Sequence, residues 1–183
     1  MRSSKKLACL GNRANAATLA VVQGRSEEET HSGVSEAVRQ GFVILSGDSY
    51  EFVHDRVQEA AYSLIPEEDR AHVHLQIGRL LIAATPADKI AERIFNLINQ
   101  LNRGTALISD SNEKSRVAEL NLLAARKARG STAYAAACTY TSVGMSLLSD
   151  EDRDSAYELA FALRVLRAEC EFLRGNFEAG GGS

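Results

Sequence analysis

Along Phe42-Val43-Ile44-Leu45-Ser46-Gly47-Asp48-Ser49-Tyr50-Glu51-Phe52-Val53-His54-Asp55 the hydrophobic period of the chain changes. Residues 42–45 are a short apolar run rich in β-formers, and Ser46-Gly47-Asp48-Ser49 carries turn chemistry. Tyr50-Glu51-Phe52-Val53 then alternates as a half-buried strand does. The pattern predicts a β-hairpin whose second strand delivers His54 to the start of a helix at Asp55. Upstream, three helical stretches are expected. They run over Ser4–Leu10 to Gly11, over Ala14–Val22 to Gly24, and from Ser26 to near Gly41. Ser26 followed by Glu29 is a capping-box pair, and Glu27, Glu28 and Glu29 favour the positive end of the helix dipole. Three helices and then a hairpin form a winged-helix pattern, which sets residues 1–66 apart as a winged-helix-like subdomain.

Downstream the 3.6-residue period takes over. Asp55 with Gln58 reads as a capping box in carboxylate form, and Val57, Ala61, Leu64 and Ile65 mark the apolar stripe. Pro66 ends that helix or restarts the chain as a helix-initial residue. Val73, Ile77, Leu80 and Leu81 line the next helix. Pro86 opens another, with Ile90, Ile94, Phe95, Ile98 and Leu101 on one face and Gly104 as its stop. Residues 67–108 are thus a helical linker or hairpin, and polar Ser109–Lys114 reads as a linker. Helices over about 115–129, 132–148 and 154–174 complete the chain, delimited by Gly130-Ser131, Ser149-Asp150 and Gly175-Asn176. Their facing turns are crowded with alanine (Ala124, Ala125, Ala128, then Ala133, Ala135, Ala136, Ala137), which lets antiparallel helices approach closely, so 109–179 is expected to form tetratricopeptide-like hairpins. Gly180-Gly181-Gly182-Ser183 reads as a linker or tail. The expected fold class is therefore mainly α: a winged-helix-like part with one hairpin, then helical hairpins.

Composition agrees. Alanine and leucine supply 47 of the 183 residues against two prolines, a mix that favours helix. With 45% hydrophobic residues and a net charge of −3, the chain has the apolar content for a core and is not a disordered sequence. Three cysteines, Cys9, Cys138 and Cys170, are too few and too odd for a disulfide scaffold and point to a reducing, cytoplasmic setting. No apolar run reaches the ~18 residues of a membrane span. Lys5 and Lys6 precede only Leu7–Leu10 before Gly11-Asn12-Arg13, which does not make a signal peptide.

Most chemistries lack their residues. The sequence contains neither a G-x-x-x-x-G-K-[ST] loop nor a G-x-G-x-x-G loop, and it has no G-x-S-x-G nucleophile. His72 and His74 are two apart, which on a helix points them to different faces, and the cysteines lack C-x-x-C spacing. A nucleic-acid role is disfavoured by charge. The third helix, Ser26–Gln40, carries four glutamates against one arginine, and the wing tip holds Asp48 without Lys or Arg. No metal, resident cofactor or enzymatic activity is expected. The constellation that remains is His54-Asp55-Arg56. A histidine at a helix start, where free N–H groups and the dipole favour an anion, can donate to a phosphate oxygen, and Asp55 can cap the helix.

These residues carry a resemblance. The stretch Gly47–Pro66, with its F-x-H-D-R-x-x-x-A-A-Y motif over Phe52–Tyr62, is similar to the region after the ATPase core of large bacterial signalling proteins. Leu75-Gln76-Ile77-Gly78-Arg79-Leu80-Leu81, Asn99-Gln100-Leu101-Asn102-Arg103-Gly104 and Glu119-Leu120-Asn121-Leu122 share that likeness. It extends from about Lys6 to Ala179 and points to multidomain serine/threonine kinase–AAA-type ATPase–GAF–sensor histidine kinases, whose ATPase belongs to the STAND class. The resemblance implies a winged helix and helical repeats behind a nucleotide-binding domain. It implies His54 as a sensor of bound ADP, Asp55 as its structural partner and Arg56 at the same interface. ADP or ATP would be bound mainly by a neighbouring domain, because this chain carries no P-loop and no magnesium site, as a fragment or a truncated reading frame would. The expected function is a non-catalytic regulatory segment that couples nucleotide state to partner docking, with an input or partner protein on the hairpins. The alternative is a free-standing helical adaptor without a nucleotide role.

Overall fold

The computed structural model describes residues 2–148 and 155–180. The chain forms two compact units, residues 1–86 and 87–183. It is mainly helical, with one small antiparallel sheet and several helical hairpins.

In the first unit the order is α1 (Arg2–Leu10), β1 (Arg13–Asn15), α2 (Ala16–Gln23), α3 (Glu27–Arg39), β2 (Val43–Ser46), β3 (Ser49–Phe52), α4 (Asp55–Ser63) and α5 (Glu67–Ala84). The sheet is ordered β1-β3-β2, with both neighbours antiparallel to β3. The hairpin is the one expected. Val43 opposes Phe52, Leu45 opposes Tyr50, and Gly47-Asp48 close the loop. Gly47 sits at φ 62°, the left-handed region a two-residue hairpin loop requires and a side chain resists.

The third strand departs from the expected helix over 14–22. Arg13–Asn15 is extended, with Arg13 opposite Glu51 and Ala14 opposite Tyr50, and α2 starts only at Ala16. Two causes converge. Asn15 is a strong N-cap whose side chain accepts from the Thr18 N–H at 2.7 Å, and β3 offers a free edge for the residues before it. The capping box at α3 is present as expected: Ser26 Oγ accepts from Glu29 N at 3.2 Å, and Glu29 accepts from Ser26 N at 3.0 Å.

Tyr50 and Phe52 point into a core with Leu7, Leu19, Val34 and Val43, against which Val57, Ala61 and Tyr62 of α4 also pack. Two long side chains tie α4 to α1: Gln58 donates to the Ala8 carbonyl and Lys5 to the Leu64 carbonyl, each at 2.8 Å. Pro66 is the N-cap of α5, whose first turn holds Glu67, Glu68 and Asp69. α5 packs against α2 and so belongs to this unit.

The second unit runs through a 3-10 turn at Ala87–Lys89, α6 (Ile90–Asn102), a second 3-10 turn at Thr105–Leu107, α7 (Ser111–Gly130), α8 (Tyr134–Ser146) and α9 (Ser155–Gly180). α6 begins at Ile90 behind the 3-10 turn, not at Pro86, and buries Ile94, Ile98 and Leu101. The polar stretch expected as a linker, 109–114, is instead largely helix. Asp110 accepts from the Glu113 N–H at 2.7 Å and starts α7 at Ser111. Those polar residues form a solvated first turn, so they lack the apolar period that marks the rest of α7. The separator Ser149-Asp150 and residues 181–183 of the expected tail lie outside the described residues, while α9 continues through the expected stop at Gly175-Asn176 to Gly180, a lone glycine being tolerated inside a helix. Small residues make the α7–α8 crossing, with Ala124, Ala125, Ala128 and Ala137 buried. Gly144 shows how tight the packing is. A Cβ there would lie 3.0 Å from a Leu163 methyl and 3.3 Å from the Asn121 Cβ.

Candidate functional site

The hairpin and α4 build the candidate site. β3 ends at buried Phe52, Val53 is exposed, and His54 follows in an extended conformation (φ −147°, ψ 147°) as the N-cap residue of α4. His54, Asp55 and Arg56 are all exposed. The expected Asp55–Gln58 capping box does not form, and no side chain caps this helix. Asp55 is already the first helical residue, one position too late to cap, and Gln58 is drawn away by the Ala8 carbonyl. The His54 carbonyl accepts from Val57 N at 2.9 Å. The N–H groups of Asp55 and Arg56 have no carbonyl within the helix to reach, because a helix start always leaves its first donors open. The result is an exposed histidine beside uncapped backbone donors at the positive end of a helix, with the Asp55 carboxylate as a nearby counter-charge.

The three adjacent residues part company in space. Arg56 lines an apolar cavity between α3 and α4, whereas neither His54 nor Asp55 belongs to that lining. A helix turns about 100° per residue, so successive side chains leave it in different directions.

Other polar side chains of this unit are engaged internally. Buried His74 meets the Tyr62 hydroxyl through Nε2 at 2.9 Å, and the Arg70 guanidinium lies 5.0 Å from the Tyr62 ring centre. His72 is exposed, so the two histidines do point apart. His31 and the Tyr50 hydroxyl are hydrogen-bonded, and burial pushes the Tyr50 phenol above its ordinary range. Lys6 donates to the Val22 carbonyl at 2.7 Å. Burial, and secondarily Arg25, lowers its ammonium below the usual lysine value.

In the second unit Asn102 and Asn121 exchange side-chain amide bonds at 2.8 and 3.0 Å, and Asn121 is fully buried. Tyr140 stacks on Phe95 and donates to Asn99 at 2.9 Å. Cys9 and Cys170 are buried and Cys138 is half-buried, and no disulfide joins them. Among the described residues no cluster of three or more His, Cys, Asp or Glu side chains could hold a metal, and no helix is long and apolar enough to cross a membrane.

The sequence reading missed Arg56's placement in the cavity wall and the Asn102–Asn121 pair. The first had a weak signal, since Arg56 directly precedes the apolar stripe at Val57 and Ala61. The second had none, because an asparagine spacing of 19 residues matches no local period.

Comparison with known proteins adds a limited likeness. No protein-family profile matches the chain, and no solved structure matches it. The chain is 30% identical over 151 residues to Hybrid signal transduction histidine kinase G of Dictyostelium discoideum, a match that covers 69% of this chain. It spans only 4% of the length of that relative.

Proposed function

We propose that this chain is a non-catalytic regulatory segment of a multidomain signalling protein, acting beside a STAND-type nucleotide-binding domain. The likeness to a hybrid histidine kinase supports the signalling context. The element order α1-β1-α2-α3-β2-β3 with sheet order β1-β3-β2 supports a winged-helix reading of the first unit. The hairpins of the second unit support a tetratricopeptide-like reading.

The observation that carries the nucleotide role is His54, exposed at an uncapped helix start. In this reading His54 and the first N–H groups of α4 reach the phosphates of ADP held by the neighbouring domain, with Asp55, which does not cap the helix, beside them. A charge-assisted bond of this kind contributes on the order of 1.5–3 kcal/mol, enough to bias a two-state equilibrium. Exchange of ADP for ATP then releases the contact and alters partner docking on the helical hairpins. The chain supplies no cofactor site of its own, takes no nucleic acid and works in the cytoplasm.

The test is an ADP titration of a protein that joins the nucleotide-binding domain to this segment, with His54 and with His54→Ala. A loss of roughly tenfold or more in ADP affinity is expected. Equal affinities would remove the sensor role. The second reading, a helical adaptor without a nucleotide role, is favoured by one observation: Tyr157, Phe161, Val165 and Phe172 leave an apolar stripe exposed on α9.

A further inference from the structure

The cavity between α3 and α4 has a volume of about 460 Å³. That falls within the roughly 300–1,000 Å³ of small-molecule sites, which are concave, mostly apolar and oriented by very few polar groups. Its floor is the core side of the sheet, with Val43 and Phe52 buried, and its walls include Val57 and Ala61. Phe42 and Leu64, each about half exposed, carry the apolar surface out to the mouth.

Two charged side chains line it, and they differ. Glu36 is already engaged, by the Arg39 guanidinium and by the Gln40 side-chain amide. Arg56 has no ion pair or side-chain hydrogen bond among the described residues. The cavity therefore offers an apolar interior with one unanswered positive charge, and the complement of that is an apolar body ending in a single anionic group.

We propose that this cavity is a binding site for a small amphipathic carboxylate, its apolar body seated against Phe42, Val57, Ala61 and Leu64, above the buried Val43 and Phe52, and its carboxylate on Arg56. Arg56 suits that end. A guanidinium meets a carboxylate through two parallel N–H bonds, while its own aliphatic stem lies along the apolar wall. The site is separate from His54 and Asp55, so its test is independent of the nucleotide reading. It would let the segment respond to a metabolite as well as to a neighbouring domain.

Sodium decanoate and 1-decanol, which share a ten-carbon tail and differ in the head, are suitable probes for the 183-residue chain. Their binding is followed by amide chemical shifts, with thermal unfolding as the check that each variant folds. Decanoate is expected to give saturable shifts confined to the segments that line the cavity, Ser4, Gly33–Val43, Phe52 and Arg56–Leu64. Arg56→Gln should weaken decanoate about tenfold and leave decanol unchanged, and Arg56→Lys should restore most of the loss. Ala60→Trp, at an exposed lining position, should abolish both by filling the mouth. Absence of any saturable shift would overturn the proposal and return the groove to a protein partner. Decanoate binding that ignores Arg56→Gln, or shifts spread over other elements, would overturn it equally.

Discussion

The two units spend their polar side chains differently. In the second, polar residues serve the packing. Asn102 and Asn121 satisfy each other, Tyr140 is bonded to Asn99, and Lys127 donates to the Ala91 and Glu92 carbonyls while lying over the Phe95 ring. In the first, Tyr62 with His74, Tyr50 with His31 and Gln58 with the Ala8 carbonyl do the same, but the side chains of His54, Asp55 and Arg56 stand at the strand-to-helix junction and cap nothing. A polar group that the fold does not consume is the one available for recognition. On this argument His54, Asp55 and Arg56 are the side chains of the first unit left for recognition.

The contrast can be broken most forcefully in the second unit. Leu163 is fully buried against Gly144, so Leu163→Ala should cost about 3 kcal/mol, measured by denaturant unfolding. Asn121→Ala should come next, at about 2 kcal/mol, because it removes two amide bonds and leaves the Asn102 amide to find other partners. An Asn121→Ala variant as stable as the parent would show that the amide pair is dispensable and would weaken the comparison. Ser26→Ala should cost about 1 kcal/mol by removing the α3 cap. His54→Ala should have the smallest effect, within about 0.5 kcal/mol, since the side chain is exposed and caps nothing. A loss above 1.5 kcal/mol there would make His54 structural and end its claim as a sensor.

The helices and the hairpin were legible because their signals are local. Ser26 with Glu29, Gly47-Asp48 and the apolar stripe of α6 each lie within one turn or one period. What escaped was set at a distance. Arg13–Asn15 has no alternation to read in three residues, and only its pairing with Ser49–Glu51 makes it a strand. Gln58 has the spacing of a cap partner but is claimed by Ala8, 50 residues earlier. The candidate site was half legible. The sequence singled out His54-Asp55-Arg56 as a group, but the helical turn between Asp55 and Arg56 divides it, one part facing outward and the other lining a cavity.

The sheet order has a consequence for how the isolated chain behaves. With β3 in the centre, β2 is an edge, and among the described residues only β3 pairs with it. Ile44 and Leu45 on this edge are about half exposed, and Val43–Ser46 carries no charge and no proline. Proteins ordinarily blunt such an edge with lysine, proline or a covering segment, because a bare one is a template for another strand. Concentrated solutions of the chain should therefore self-associate strand to strand, and a charge placed at Ile44 should keep it dispersed.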